Sequence, residues 1–300
     1  MKIGLVGLGK MGFNLALNMK EHGHNVSAFD ISDKIVEAAR NEGINSFSDL
    51  NAFIENISSM SPKIIWLMIP AGKPVDDMIE KLNPFLFHGD ILIDGGNSNY
   101  KDTLRRFEAL KSKNIEFVDI GTSGGMEGAR NGICAMIGAS TEAFTLIEPL
   151  IKSISIENGY IHTGQNGSGH FVKMVHNGIE YGMMQAIGEG FEILKESRFD
   201  LDMEKIANVW NNGSVIRGWL MELAVNMFKK DAGLDNIKGI VHSSGEGLWT
   251  VQEALELKVA APVITESLFA RYRSERADTF TGKVVAALRN EFGGHPVEKK

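Results

Sequence analysis

Five residues in one short stretch carry groups that move protons or hold polar ligands: Lys173, His176, Asn177, Glu180 and Tyr181. They fall at i, i+3, i+4, i+7 and i+8, which share one face of a helix turning about 100° per residue. A buried helix face is apolar as a rule, and a solvated one rarely mixes an amine, an imidazole, an amide, a carboxyl and a phenol. Lys173 and Glu180 stand two turns apart, roughly 10 Å along a helix axis. That is too long for an ordinary i,i+4 ion pair. The two groups are therefore better placed to act separately than to staple the helix. A glycine- and serine-rich turn, Gly164 to Gly169, leads into this helix.

Such a helix needs a scaffold, and the chain opens with one. Lys2–Val6 reads as a short buried parallel strand. It runs into Gly7-Leu8-Gly9-Lys10-Met11-Gly12, a G-x-G-x-x-G, and then a helical pattern to about His22. Gly23-His24 breaks that helix, and Asn25–Phe29 reads as a second strand ending at Asp30. Set between a strand and a helix, the six residues from Gly7 to Gly12 let backbone amides approach a pyrophosphate at a helix N-terminus. Asp30 can accept hydrogen bonds from ribose hydroxyls, while its charge repels a 2′-phosphate. The pattern therefore predicts NAD rather than NADP.

Strands and helices then alternate. Lys34–Asn41 and Leu50–Ile57 are predicted helical, and Lys63–Ile69 a buried strand that Pro70-Ala71-Gly72 ends. Val75–Leu82 is helical, Asp90–Ile93 a strand running into Asp94-Gly95-Gly96-Asn97-Ser98, and Tyr100–Lys111 a helix. Glu116–Ile120 leads to a second glycine-rich strand exit, Gly121-Thr122-Ser123-Gly124-Gly125; Ile133–Ile137 and Ile156–His162 read as the last strands. The strand-end acids Asp94 and Asp119 are also consistent with simple loop caps. From about Ser168 helical periodicity takes over, with segments near 168–196, 202–210, 216–229, 247–257, 261–276 and 279–292. The expected organisation is a doubly wound α/β domain over residues 1–165, of Rossmann type, followed by an all-helical domain over 166–300. A helical half this short, joined without a linker, is expected to pack against a copy of itself.

Composition narrows the classes. An apolar fraction of 43% over 300 residues supports real cores. A net charge of −7 argues against nucleic acid or an anionic membrane as partner. The single cysteine, Cys134, lies in the apolar run Ile133–Ile137 and reads as a packed thiol. The first apolar run is too short for a leader or a membrane span, and no metal-ligand spacing occurs. A cytoplasmic enzyme acting on a small molecule is the expectation.

The motifs GLGKMG (7–12), DGGNS (94–98), TSGG (122–125), KMVHNGIEY (173–181) and RNEFGGH (289–295) together resemble the β-hydroxyacid dehydrogenases. Within them the chain is similar to the decarboxylating 6-phosphogluconate dehydrogenases, in their short, NAD-preferring bacterial form. Relatives acting on 3-hydroxyisobutyrate, the alternative reading, resemble K-x-x-N-N in the helix where this chain has Lys173-x-x-His176-Asn177. The resemblance implies Lys173 as the base at the C3 hydroxyl and Glu180 as the acid that protonates C1 after carbon dioxide leaves. It implies Asn97, Ser123, Gly124, Gly125, His176, Asn177 and Tyr181 around the sugar acid. Arg271, with Arg289 and His295 from a partner subunit, would hold the phosphate of 6-phosphogluconate. Ile69, Pro70, Ala71 and Asn97 would contact NAD, and the assembly would be a homodimer or homotetramer. One departure stands out. Longer members place a Lys and a Thr where Ser244 and Glu246 stand here, so two phosphate contacts are missing and Glu246 is repulsive.

Overall fold

Short apolar strands buried on both faces demand helices on both sides, and the chain supplies them. The structure, a computed structural model, describes residues 1–293 and 296–298. Its first part alternates β1 (Lys2–Val6), α1 (Lys10–Glu21), β2 (Asn25–Phe29), α2 (Asp33–Asn41), β3 (Asn45–Phe47) and α3 (Leu50–Ile57). There follow β4 (Ile64–Leu67), α4 (Lys73–Leu82), β5 (Ile91–Asp94), α5 (Tyr100–Lys111) and β6 (Glu116–Ser123). The last elements of this part are α6 (Gly125–Asn131), β7 (Ile133–Gly138), α7 (Thr141–Ile154) and β8 (Ser155–Gly164).

Among the described residues these strands form one sheet in the order β3-β2-β1-β4-β5-β6-β7-β8. Neighbours run parallel except β6 and β7, which are antiparallel. Side-chain alternation sorts the core into two layers. On β5, Ile91 and Ile93 join Leu15 and Met19 of α1 and Ile147 of α7 on one face. Leu92 joins Phe53 of α3 and Val75 of α4 on the other. The strand order reverses beside β1, with β2 on one side and β4 on the other. In open α/β sheets ligands bind at the carboxyl ends of strands at such a switch point.

Two expectations need correction. β6 does not stop at Ile120 but reaches Ser123, because antiparallel β7 pairs Thr122 with Ala135 and Ser123 with Cys134. Cys134 is exposed, not packed. Alternation sends Ile133, Ala135 and Ile137 into the core and turns Cys134 to the opposite face.

The helical part comprises α8 (Ser168–Lys195), α9 (Met203–Asn211), α10 (Trp219–Lys230), α11 (Gly245–Glu256), α12 (Pro262–Ser274) and α13 (Phe280–Gly293). By internal contact the chain divides within α8 into two compact units, 1–176 and 177–300. The second unit has two small cores. Phe191, Ala207, Met221, Ala224 and Phe228 make one; Tyr181, Val251 and Leu268 make the other.

Candidate active site

In the first unit, the start of α8 is built against alternate residues of β6. Asp119 is fully buried, and its two oxygens accept from the backbone N–H of Gly167 at 2.6 Å and of His170 at 2.8 Å. It thereby serves as a cap for the amides that a helix N-terminus leaves unpaired. Burial pushes the Asp119 carboxyl above its ordinary range, against the opposing pull of His170 and the two amides. Two residues on, a Cβ at Gly121 would lie 2.2 Å from the Lys173 Cβ. Only glycine lets the base of the lysine stem come this near. Lys173 itself is 5% exposed. Two residues further, Ser123 Oγ is 3.3 Å from His176 Nε2, and His176 Nδ1 is 3.4 Å from Lys173 Nζ. Strand positions 119, 121 and 123 therefore match helix positions 170, 173 and 176.

Asn97 stands beside this line. It holds φ 53°, a conformation asparagine tolerates better than most residues. Its Oδ1 accepts from Thr122 N at 3.1 Å and its Nδ2 donates to Thr122 O at 3.5 Å. The loop after β5 is thus tied to β6 one residue before Ser123. Gly124 (φ 108°) and Gly125 (φ 58°) carry the chain from β6 into α6.

The residues around the first turn fit a dinucleotide. A Cβ at Gly12 would lie 2.0 Å from Gly7 O, so α1 seats directly on the strand exit. A Cβ at Gly9 would meet nothing within 4 Å, and α1 has neither a side-chain cap nor an acid in its first turn. Its first amides are left for an anion. Asp30 Oδ2 accepts from Leu8 N at 2.7 Å and Oδ1 from Ser32 N at 2.9 Å. The carboxylate therefore also fixes the glycine loop. Each oxygen keeps acceptor capacity for a hydroxyl. Ile69, Pro70 and Ala71 follow β4, on the other side of the switch point from β2.

The second unit gives Asn177, Tyr181 and Arg271 partners of its own. Asn177 Nδ2 donates to Glu246 Oε2 at 2.5 Å. Tyr181 OH lies 2.8 Å from Ser244 Oγ and accepts from Ser244 N at 3.0 Å. The Arg271 guanidinium stacks 3.4 Å from the centre of the Tyr181 ring. Ser244 and Glu246, expected only as lost contacts, instead fasten Tyr181 and Asn177. Glu180 is half-buried on α8, and Arg289 is exposed on α13. His295 lies outside the described residues.

The family model described as the NAD binding domain of 6-phosphogluconate dehydrogenase matches residues 2–164. The model described as the 6-phosphogluconate dehydrogenase C-terminal domain matches residues 169–299. The chain belongs to the 6-phosphogluconate dehydrogenase family. Over its whole length it is 54% identical to all of YqeC of Bacillus subtilis, a provisionally named 6-phosphogluconate dehydrogenase. It is 41% identical, again over its whole length, to 99% of the NAD(+)-dependent, decarboxylating 6-phosphogluconate dehydrogenase of Haloferax volcanii. Among solved structures, the 6-phosphogluconate dehydrogenase of Plasmodium falciparum superposes with a TM-score of 0.84 at 31% identity. That match covers all of this chain and 66% of the Plasmodium one. A 3-hydroxyisobutyrate dehydrogenase of Salmonella typhimurium, TM-score 0.73 at 17% identity, shares the fold.

Proposed function

We propose that this member of the 6-phosphogluconate dehydrogenase family oxidises and decarboxylates 6-phosphogluconate, giving ribulose 5-phosphate and carbon dioxide, with NAD as cofactor. The observation that carries the reading is the line Ser123–His176–Lys173, continued along the same helix by Glu180. NAD, held by the loop from Gly7 to Gly12 and Asp30, would supply the acceptor for the hydride of C3. Lys173, 5% exposed, removes the proton of the C3 hydroxyl. The resulting C3 carbonyl is β to the carboxylate. When the C1–C2 bond breaks, its electron pair moves toward that carbonyl, and carbon dioxide departs. Lys173, now an ammonium, returns its proton to the C3 oxygen and stabilises the developing enolate. His176 sets the orientation of the lysine head through Nδ1 and is itself held by Ser123. Glu180, two turns along α8, protonates the carbon that has lost carbon dioxide while Lys173 takes the proton back from the C3 oxygen, which becomes the ketone of ribulose 5-phosphate.

Asp30 supports the choice of NAD, since its carboxylate faces the glycine loop where a 2′-phosphate would bring a second negative charge. Arg271 is the described cation beside Tyr181 and is assigned to the phosphate. The test is to supply 6-phosphogluconate with NAD or NADP in parallel and follow reduced cofactor and released carbon dioxide. Equal yields of the two products, formed faster with NAD, are expected. Cofactor reduction without carbon dioxide would replace the reading with a non-decarboxylating hydroxyacid dehydrogenase.

A further inference from the structure

The buried face of α5 carries Thr103, Arg106 and Leu110, so an arginine occupies a stripe that burial normally gives to apolar side chains. Arg106 is 2% exposed. Its Nε donates to Asp76 Oδ1 at 2.8 Å and its Nη2 to the Gly72 carbonyl at 2.9 Å. Its Nη1 donates to Asp94 Oδ2 at 3.1 Å and to Ser98 Oγ at 3.0 Å. These acceptors come from two places. Gly72 closes the loop after β4 and Asp76 lies in the first turn of α4; Asp94 and Ser98 bracket the loop after β5.

The two loops are joined on their other side as well. Asp94, with no exposed surface, also accepts from Gly96 N at 3.1 Å and Ser98 Oγ at 2.7 Å, which folds the β5 loop around the arginine. A Cβ at Gly96 would lie 2.5 Å from the Ile69 carbonyl. Backbone contact on one face and a planar five-donor fork on the other leave little room for one loop to move alone. One loop presents Ile69, Pro70 and Ala71 beside the switch point. The other presents Asn97, already tied to Thr122 next to Ser123.

We infer that Arg106 is a positioning residue that locks the loops after β4 and β5 into a single unit, so that the cofactor-facing and substrate-facing backbone are set jointly. Buried behind both loops, it acts through them. The substrate half of this inference rests on the reaction proposed above; the cofactor half does not. A lysine would retain the charge but lacks the fork that reaches three side chains and a carbonyl in one plane. Asp76 keeps a second partner, Arg105, at 3.0 Å. Burial raises the Asp76 carboxyl, but the hydrogen bonds from Arg106 and Arg105 outweigh that and hold it below the ordinary carboxylate range. Loss of a single link is therefore milder than loss of the arginine.

The test compares wild type, Arg106→Lys, Asp76→Asn and Ser98→Ala by two readouts: the Kd for NAD by calorimetry, and KM for 6-phosphogluconate at saturating NAD. Asp76→Asn should weaken NAD severalfold with KM within about twofold of wild type. Ser98→Ala should raise KM severalfold, with a smaller effect on the Kd for NAD through neighbouring Asn97. Arg106→Lys should worsen both constants tenfold or more. The inference is overturned if Arg106→Lys lowers the melting temperature while both constants stay within twofold, or if it moves only one of them. Should Arg106→Lys fail to fold, the Asp76→Asn/Ser98→Ala double variant decides. A locked pair of loops predicts non-additive effects on each constant, and simple multiplication of the single effects would sink the idea. If wild type does not turn over 6-phosphogluconate, the proposed function fails; a tenfold loss of NAD affinity in Arg106→Lys would still uphold the cofactor half.

Discussion

Lys173, 5% exposed, lies beside a histidine that a serine holds in turn, and the proposed base would pass one proton back and forth at that place. Glu180 sits half-buried two turns further along α8, and in the proposed reaction it delivers its proton to a different carbon. The two roles separate experimentally. Lys173→Met is expected to lower kcat by roughly 10²- to 10⁴-fold, the range of general acid–base contributions, while the calorimetric Kd for NAD changes by less than twofold. Glu180→Gln is expected to abolish the exchange of solvent deuterium into C1 of ribulose 5-phosphate, followed by NMR with reduced cofactor present. Retention of that exchange at the wild-type rate would remove Glu180 from the protonation step. The stripe on α8 was legible in the sequence because its period is a property of one helix. What the sequence left out is the partner of each group. The contacts of Asn177 with Glu246 and Tyr181 with Ser244 join residues more than sixty positions apart, and no local period reports them.

At the scale of elements, β6 decides where α8 begins and which of its residues meet the strand. A methyl at Gly121 would drive against the Lys173 Cβ, where backbone and a buried stem leave nothing flexible to yield. Gly121→Ala is therefore expected to cost about 1–3 kcal/mol of stability, as overpacking does, and to lower kcat more than KM. Denaturant unfolding and steady-state kinetics read the two effects; a variant with wild-type kcat would show that Lys173 is not set by this contact. Asp119 makes a prediction in pH. Its carboxyl is raised by burial, so the folded chain holds that proton to higher pH than the unfolded chain. Its contribution to stability is then fullest below the unfolded value and is lost as pH rises through the folded one. Relative to wild type, Asp119→Asn should gain stability over the interval above the ordinary carboxylate range. A relative loss over that interval would mean the two amide bonds outweigh burial. The strands that form the sheet's centre were readable as apolar runs, whereas β3, three residues at the edge, offers no run to read. Helix α7 carries Pro149 in its interior, a residue that ordinarily ends a helix. Arg106 escaped notice because an arginine within a helical pattern reads as a solvated charge, and only the folded loops supply its acceptors.

For the molecule as a whole, the sheet unit buries its hydrophobics in two continuous layers, but the helical unit does not. Its two cores are small. Large apolar side chains remain on its surface, among them Val215 at 99%, Leu255 at 74% and Ile193 at 72% exposure. Single exposed hydrophobics need no explanation, but so many on the helices and connections of one small unit point to an association surface. A second copy of the chain is the partner proposed here, in line with a helical half too thin to close its own core. Sedimentation equilibrium at micromolar concentration should then give twice 32.9 kDa, or four times that mass for a pair of dimers. Because the association stabilises only folded chains, the melting temperature should also rise with protein concentration. A monomer with a concentration-independent melting temperature would refute the assembly. It would also make Arg271 the cation that has to hold the phosphate without help from a partner's Arg289, and Arg271→Ala would then raise KM for 6-phosphogluconate while Arg289→Ala left it unchanged.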